Sequence, residues 1–160
     1  MAGYGADQSF GDWLAANGYV MPEGSPSAAV LRQRGSSYID GLYGARFPGT
    51  PTNGIAQERA WPRTGAVAAS GEAIASDAIP NAVIEASYFA AYYEAQNPGA
   101  LTVAASAAGA VKREKVGSLE TEYFEASGSA AANAIPVLSA VEGLLAPILA
   151  PADFPAVLVV

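Results

Sequence analysis

The sequence predicts a mainly α-helical protein: a small helical bundle with a long ordered loop, a β-hairpin arm and a C-terminal helix that continues into a hydrophobic tail. Three observations predict it. First, apolar residues recur at helical spacing in four segments. Second, residues 47–78 are rich in Pro, Gly, Ser and Thr and show neither helical nor strand periodicity. Third, charged and apolar residues alternate in short runs on both sides of a Gly-Ser pair within residues 110–126. We therefore expect a helical domain over 1–100 that includes the loop, a hairpin arm over 110–126, and the C-terminal helix and tail over 134–160.

Two helices are predicted in the N-terminal segment. The first lies in SFGDWLAANG, with Ser9 as its expected N-cap and an Asn-Gly pair as its stop. Ser25 or Ser27 can cap the second, and Gly44 is expected to end it. The residues that recur at helical spacing along one face of the second helix are Leu31, Gly35, Tyr38 and Leu42.

The third helix, within IPNAVIEASYFAAYYEAQNPG, is predicted to begin near Pro80 and to end before Asn97. It is apolar on two faces, so we expect it to be buried on more than one side. In so small a domain, the second buried side indicates a neighbouring subunit. Two interpretations of its aromatic cluster stay open, core packing alone or core on one side and a subunit interface on the other. The cluster consists of Tyr88, Phe89, Tyr92 and Tyr93.

The segment VKREKVGSLETEYFE predicts a two-stranded hairpin that turns at Gly117-Ser118. One limb carries basic residues and the other carries acidic ones, and opposite charges across the strands favour the hairpin modestly. The basic limb is either a solvated strand face or a small patch that touches a phosphate backbone or an acidic partner. Its basic residues are Lys112, Arg113 and Lys115, and the acids opposite are Glu120, Glu122 and Glu125.

The C-terminal segment predicts a helix followed by a docking tail. The helix, in IPVLSAVEGLLAPILA, has its apolar positions at Val137, Val141, Leu144, Leu145 and Ile148. The tail ends in FPAVLVV, which is either a frayed terminus or a segment that adds a strand to a partner or enters its groove, and its apolar character favours docking. The docking residues are Phe154, Val157 and Leu158. Three prolines and Asp153 make this stretch a poor membrane span, so we expect no membrane contact.

Composition argues against an enzyme. The 160 residues include no cysteine and no histidine, so disulfides, thiolate nucleophiles, catalytic triads with histidine and the usual zinc sites are excluded. The remaining candidates are carboxylates, and none forms a local pair or a metal-binding loop. We expect no catalytic residue, cofactor or metal. The carboxylates considered are Asp40, Glu72, Asp77 and Glu85.

Charge argues against a protein that binds nucleic acid mainly by attraction to phosphate. The formal net charge is −7 and the isoelectric point is about 4.4, so most of the surface repels a phosphate backbone. The N-terminus has neither the basic start nor the apolar stretch of a signal peptide, so we expect synthesis in the cytoplasm.

The loop contains the unusual stretch QERAWPRTGA, with a Trp-Pro-Arg sequence at 61–63. In one interpretation Trp61 plugs the loop into the helical domain, Pro62 holds the backbone extended and Arg63 binds loop carbonyls. In the other, Trp61 and Arg63 grip single-stranded nucleic acid. The acidic charge favours the first, and we expect the pinned loop to present Arg63 and its neighbours to a partner at a low ordering cost.

Four segments together resemble a known family. QERAWPRTG, DAIPNAVIEASYFAA, VKREKVGSLETEY and VEGLLAPIL, in this order, are similar to small proteins encoded among the head genes of tailed phages and prophages that carry the label DnaT-like single-stranded-DNA-binding. The same proteins look like head–tail connector, or adaptor, proteins. The resemblance covers residues 9–150, and the Trp-Pro-Arg loop and the Lys-Arg-Glu-Lys-Val-Gly hairpin are its most specific parts.

The resemblance implies a structural virion protein of the neck. Such a protein forms a homo-oligomeric ring, expected to be a dodecamer, that binds the portal on one side and a stopper or tail-completion protein on the other, while DNA passes without sequence-specific binding. The alternative takes the label literally and makes the chain a single-stranded-DNA-binding protein of phage replication. Its contact set would be Trp61, Arg63, Lys112, Arg113 and Lys115.

Overall fold

Helices form most of the regular structure in the part of the chain that the structure describes. The structure is a computed structural model, and it describes residues 2–102, 113–116, 119–122 and 136–150. The mainly helical fold class predicted from the sequence is confirmed. The helices are α1 (Asp7–Ala16), α2 (Ala28–Tyr43), α3 (Asn81–Gln96) and α4 (Ser139–Leu145). The strands are β1 (Thr50–Pro51), β2 (Arg63–Thr64), β3 (Arg113–Val116) and β4 (Leu119–Glu122).

Helix α3 is the central element of the helical body. Helix α2 packs closely along it at Gly35, where an added Cβ would lie only 2.7 Å from the backbone nitrogen of Ala91. Helices α4 and α1 cover other parts of α3. The predicted burial of α3 on more than one side is confirmed. Helices α1 and α4 of the same chain account for part of this burial, and a neighbouring subunit on α3 stays a prediction.

Two hydrophobic clusters fill the space around α3. The larger one joins α2, α3, α4 and the loop, and Trp61, Tyr43 and Val141 are among its fully buried members. The smaller one lies between α1, α2 and α3 and includes Phe10 and Leu31. Removal of these apolar side chains from water is the main force that holds the elements together. Because α4 contributes to the larger cluster, the C-terminal helix completes the same body that the N-terminal helices form.

The first two helices follow the predicted boundaries in part. Helix α1 begins at Asp7, before the expected cap Ser9, because the chain ahead of it is held by tertiary contacts: the Tyr88 hydroxyl binds the N–H and the carbonyl of Ala6. Helix α2 has Ser27 at its N-cap position, as one of the two predicted alternatives. It ends at Tyr43 and passes into a 3₁₀ turn, Gly44–Arg46.

Helix α4 is shorter than the predicted segment. It ends at Leu145 because Pro147 has no N–H to continue the hydrogen-bond ladder. Val141, Leu145 and Ile148 of the predicted stripe are buried, whereas Val137 precedes the helix and is 59% exposed. None of the helices in the described ranges is long and apolar enough to cross a membrane.

The long loop between α2 and α3 is ordered but almost free of regular structure, as predicted. Strands β1 and β2 pair antiparallel, with Thr50 opposite Thr64, and a 3₁₀ turn, Gly54–Ala56, lies between them. The loop is also joined to the C-terminal segment, because the Ala69 N–H donates to the Pro147 carbonyl at 2.8 Å. This second attachment gives the loop a fixed position on the helical body.

The predicted hairpin is confirmed in strands β3 and β4. They pair antiparallel with Val116 opposite Leu119, and the two residues between them in sequence, where the turn was predicted, lie outside the described residues. The register places Arg113 opposite Glu122 and Lys115 opposite Glu120. The strand pairing therefore matches basic positions with acidic ones, as the sequence indicates.

Candidate functional site

Trp61 lies inside the helical body. The residue is 1% exposed, and its ring packs edge-on against Phe47 with 5.6 Å between the centroids. Its backbone N–H donates to the Tyr4 hydroxyl at 3.2 Å, and its peptide bond to Pro62 is cis. Trp61 thus plugs the loop into the core, which is the first interpretation that the sequence left open. In this conformation it offers no face on which a nucleic-acid base could stack.

Arg63 is buried beside it and binds only the loop. The residue is 7% exposed, and this burial lowers the pKa of its guanidinium. The expectation that Arg63 presents a surface to a partner is corrected, because its donors are occupied by backbone. Nε donates to the carbonyl of Pro48 at 2.7 Å, Nη1 to Ala60 at 3.1 Å, and Nη2 to Phe47 at 3.2 Å and to Gly49 at 2.6 Å.

A half-buried polar cluster around Asp40 ties the N-terminus and the loop to α2. The Tyr4 hydroxyl donates to Asp40 Oδ1, and Arg59 Nη1 donates to Asp40 Oδ2 at 3.3 Å and to Ser37 Oγ at 3.0 Å. The Arg59 guanidinium also lies 5.9 Å from the centroid of the Tyr4 ring, in cation–π geometry, and Nε donates to the Ala2 carbonyl at 2.8 Å. We call these residues the Asp40 cluster.

Burial sets the protonation behaviour of the Asp40 cluster. Desolvation raises the pKa of Asp40, and the hydrogen bond from Tyr4 and the charge of Arg59 offset only part of that rise. Desolvation, with the hydrogen bond to Asp40, raises the pKa of the Tyr4 hydroxyl. The tyrosine therefore stays neutral and serves as a donor. These contacts hold the N-terminus and the loop against α2.

Glu94 holds the segment that follows α3. It is 1% exposed, and its Oε1 accepts from Arg34 Nη1 at 3.0 Å and from the Gly99 N–H at 3.0 Å. Its Oε2 accepts from the Leu101 N–H at 3.2 Å. The buried carboxylate is thus paired and hydrogen-bonded, which is the usual condition for burying a charge.

The aromatic residues predicted on α3 are divided between the two hydrophobic clusters. Tyr88 is buried at 2% exposure and binds Ala6 through its hydroxyl. Phe89 and Tyr93 are half-buried against the larger cluster, and Tyr92 packs against the smaller one. An interface role for these four residues stays a prediction. In the structure, these four residues pack against other residues of the same chain.

The basic hairpin and the tail are described only in part. Arg113 and Lys115 lie on β3, opposite acidic positions of β4. Lys112 lies outside the described residues, as do the predicted docking residues Phe154, Val157 and Leu158. In the described ranges no cluster of acidic side chains could hold a metal ion.

A model of a known protein family matches the sequence of this chain. The family model described as "Putative DnaT-like ssDNA binding protein" matches residues 4–159, almost the whole chain. The chain belongs to this family. The predicted membership of the DnaT-like family is therefore confirmed, and the connector assignment stays a prediction. No curated protein and no solved structure gives a significant match.

The sequence did not predict several residues of this family member that hold the N-terminal segment and the loop on the helical body. Arg32 Nη1 donates to the carbonyls of Gly3, Tyr4 and Gly5, and Nη2 pairs with Asp7 at 2.7 Å. One signal was available: before residue 112 every basic residue is an arginine. The planar fork of arginine suits several carbonyls at once, and a segment rich in Pro and Gly has many carbonyls that no helix satisfies.

Proposed function

We propose that this chain is a structural subunit of a phage virion, a head–tail connector that forms a ring beneath the portal and lets DNA pass. The observation that carries the proposal is the internal use of its arginines. Of the five arginines in residues 2–102, Arg32, Arg34 and Arg59 form ion pairs within the chain and Arg63 binds four backbone carbonyls. The body therefore offers little positive charge to a phosphate backbone.

A low density of free positive charge suits a ring through which DNA moves. With a formal net charge of −7, the wall of such a ring repels the duplex instead of binding it. A protein that must hold single strands in a groove needs the opposite distribution. In this proposal the chain has no catalytic role and needs no cofactor.

The locked loop supports a role in assembly. Trp61, Arg63 and the Asp40 cluster hold the loop in one conformation before any partner binds, so less conformational entropy is lost when a partner does bind. We place the protein in the neck of the virion after synthesis in the host cytoplasm. Its proposed partners are further copies of itself, in a dodecameric ring, the portal, and a stopper or tail-completion protein.

Single-stranded-DNA binding is the second candidate, and the name of the family, DnaT-like ssDNA binding protein, favours it. The basic positions Lys112, Arg113 and Lys115 of the hairpin would supply the phosphate contacts. Trp61 and Arg63 are unavailable for base contacts in the structure, because both are buried. Of the DNA contacts predicted from the sequence, only the basic residues of the hairpin are therefore left to this candidate.

The two candidates predict different binding partners in one experiment. Light scattering would give the mass of the purified protein alone, with portal from the same gene cluster, and with a single-stranded oligonucleotide at about 50 mM salt, where counterion release most favours binding. A ring, or a monomer that joins the portal, with no change on adding the oligonucleotide supports the connector. A mass shift with the oligonucleotide alone overturns it and favours DNA binding.

Charge variants sharpen the comparison. Replacing Arg113 and Lys115 together by Gln should abolish an oligonucleotide complex if the hairpin binds phosphate, and Arg34→Gln on the body is the matched control for loss of a cation. An oligonucleotide complex that survives the hairpin change and is lost in the control would contradict the hairpin assignment. A protein that binds neither the portal nor the oligonucleotide would overturn both candidates.

A further inference from the structure

The tip of the long loop presents an exposed apolar side chain on a preformed support. Ile55, in the 3₁₀ turn between β1 and β2, is 107% exposed, the highest value among the large apolar residues of the described ranges. The tip is held by Gln57, whose Nε2 donates to the carbonyls of Arg59 at 2.7 Å and Pro62 at 2.9 Å. Its Oε1 accepts from the Asn53 N–H at 3.1 Å. Ile55 is therefore displayed in a fixed position.

A groove elsewhere on the body has apolar walls and one cation. It has a volume of about 610 Å³ and lies between the long loop, at Pro48 and residues 67–69, and the described end of the C-terminal segment. The Ala150 N–H donates to the Arg46 carbonyl at 2.9 Å, which fixes one wall. We call this the Arg46 groove. Its lining includes Arg46, Pro48, Val67, Ala146 and Leu149.

Arg46 gives the groove a preference for an acidic ligand. Its Nε is buried, and no described residue accepts a hydrogen bond from it. The three ion pairs within the described ranges use Arg32, Arg34 and Arg59, so Arg46 has no carboxylate partner there. A buried donor without a partner favours any ligand that brings an acceptor. The groove thus fits an apolar side chain with a carboxylate nearby.

The loop tip has this chemistry. Glu58 follows Ile55 by three residues, is exposed, and forms no ion pair within the described ranges. We propose that the loop tip of one copy enters the Arg46 groove of a neighbouring copy, with Ile55 against the apolar walls and the Glu58 carboxylate accepting from the Arg46 guanidinium. Two different surfaces meet in such a contact, so repeating it closes a ring or extends a filament. The contact rests on the proposed self-assembly and assigns its surfaces.

Cysteine pairs test the contact directly, since the chain has no cysteine of its own. Ile55→Cys protein is mixed with Val67→Cys protein, with portal present, and oxidised. Mass spectrometry is expected to find the mixed disulfide in about tenfold higher yield than from Val20→Cys with Val67→Cys, because docking raises the local concentration of the two thiols. Val20 is a fair control because it is 80% exposed. Equal yields from both mixtures would overturn the contact, and so would a disulfide that forms only within a single chain carrying both changes.

Charge reversal provides a second readout and separates the two proposals. Glu58→Arg and Arg46→Glu should each reduce assembly when present alone, because every contact then joins like charges. A mixture of the two single variants should restore a ring in which they alternate, and the double variant in one chain should also assemble, because both arrangements join opposite charges at every contact. Glu58 is exposed, so its variant keeps the test valid if Arg46→Glu fails to fold, as circular dichroism would reveal. Rings that form unchanged in Glu58→Arg and Ile55→Asp overturn this contact and leave the connector proposal standing. A wild-type chain that forms no ring, even with portal, overturns the connector proposal itself.

Discussion

Asp40 and Arg59 form a half-buried ion pair, 3.3 Å from Oδ2 to Nη1, that ties the long loop to α2. The two side chains are 18% and 10% exposed, and the hydroxyl of Tyr4 donates to the other oxygen of the same carboxylate. Three distant segments of the chain thus meet at one negative charge. Because that charge is largely removed from water, its protonation is linked to the stability of the whole arrangement.

Asp40 should make the protein lose stability as the pH rises. Burial raises the pKa of Asp40, so between its unfolded and its folded pKa the folded state binds more protons than the unfolded chain. The free energy of unfolding therefore falls with increasing pH across this window, and above it the unfavourable contribution is complete. Urea unfolding at several acidic to neutral pH values should show this slope in wild type and a flatter profile in Asp40→Asn. Parallel profiles for the two proteins would contradict the assignment.

Two glycines of α2 should respond in opposite directions to the same substitution. Gly35→Ala is expected to lower the free energy of unfolding by roughly 1–3 kcal/mol, because the new methyl group meets the backbone of Ser87 and Ala91 in α3. Gly41→Ala is the matched control on the same helix. Nothing lies within 4 Å of its added Cβ, so it should stabilise by about 0.5–1 kcal/mol. Chemical unfolding of both variants checks the difference, and two stabilised variants would mean that α2 and α3 lie further apart.

Arg63 should not be replaceable by lysine. Arg63→Lys keeps the charge but loses the planar fork that reaches four carbonyls, and we expect a loss of about 2 kcal/mol in the free energy of unfolding. Arg34→Lys is the control, because the Arg34 side chain is 45% exposed and makes one ion pair, with the buried Glu94, that a lysine can also make. Its loss of stability should therefore be smaller than that of Arg63→Lys. Denaturant midpoints compare the two, and equal losses would argue against the fork as the reason.

The elements with local signals were predictable from the sequence. Pro80 and Asn97 bracket α3 in the structure as their residue types indicate, and strands β3 and β4 pair antiparallel as their sequence pattern indicates. The start of α1 was not predictable, because the Tyr88 hydroxyl binds Ala6 across 82 positions of sequence. A capping preference is worth less than such a tertiary contact, so Ser9 lies inside the helix.

The site was harder to predict than the helices because its partners are backbone groups. Arg63 binding to loop carbonyls was one of two interpretations that the sequence allowed, and the choice between them depended on a fold that buries the Trp61 ring. Arg59 and Glu94 gave no signal, since their partners lie in other segments or in backbone N–H groups. Because α3 is apolar on a second side, the sequence predicted that a neighbouring subunit covers that side. In the structure α4, separated from it by more than 40 residues of sequence, covers part of that side.

Trp61 should behave as a core residue in solution. Trp61→Ala is expected to lower the free energy of unfolding by about 3–5 kcal/mol, because the residue is 1% exposed and packs against Phe47. The chain has two tryptophans, so Trp13→Phe leaves Trp61 as the only one, and its fluorescence should be blue-shifted and protected from iodide. Trp61→Phe leaves the half-buried Trp13, which iodide should quench more strongly. If Trp61→Ala keeps wild-type stability but no longer joins the portal, Trp61 instead contacts a partner, and the loop must open on assembly.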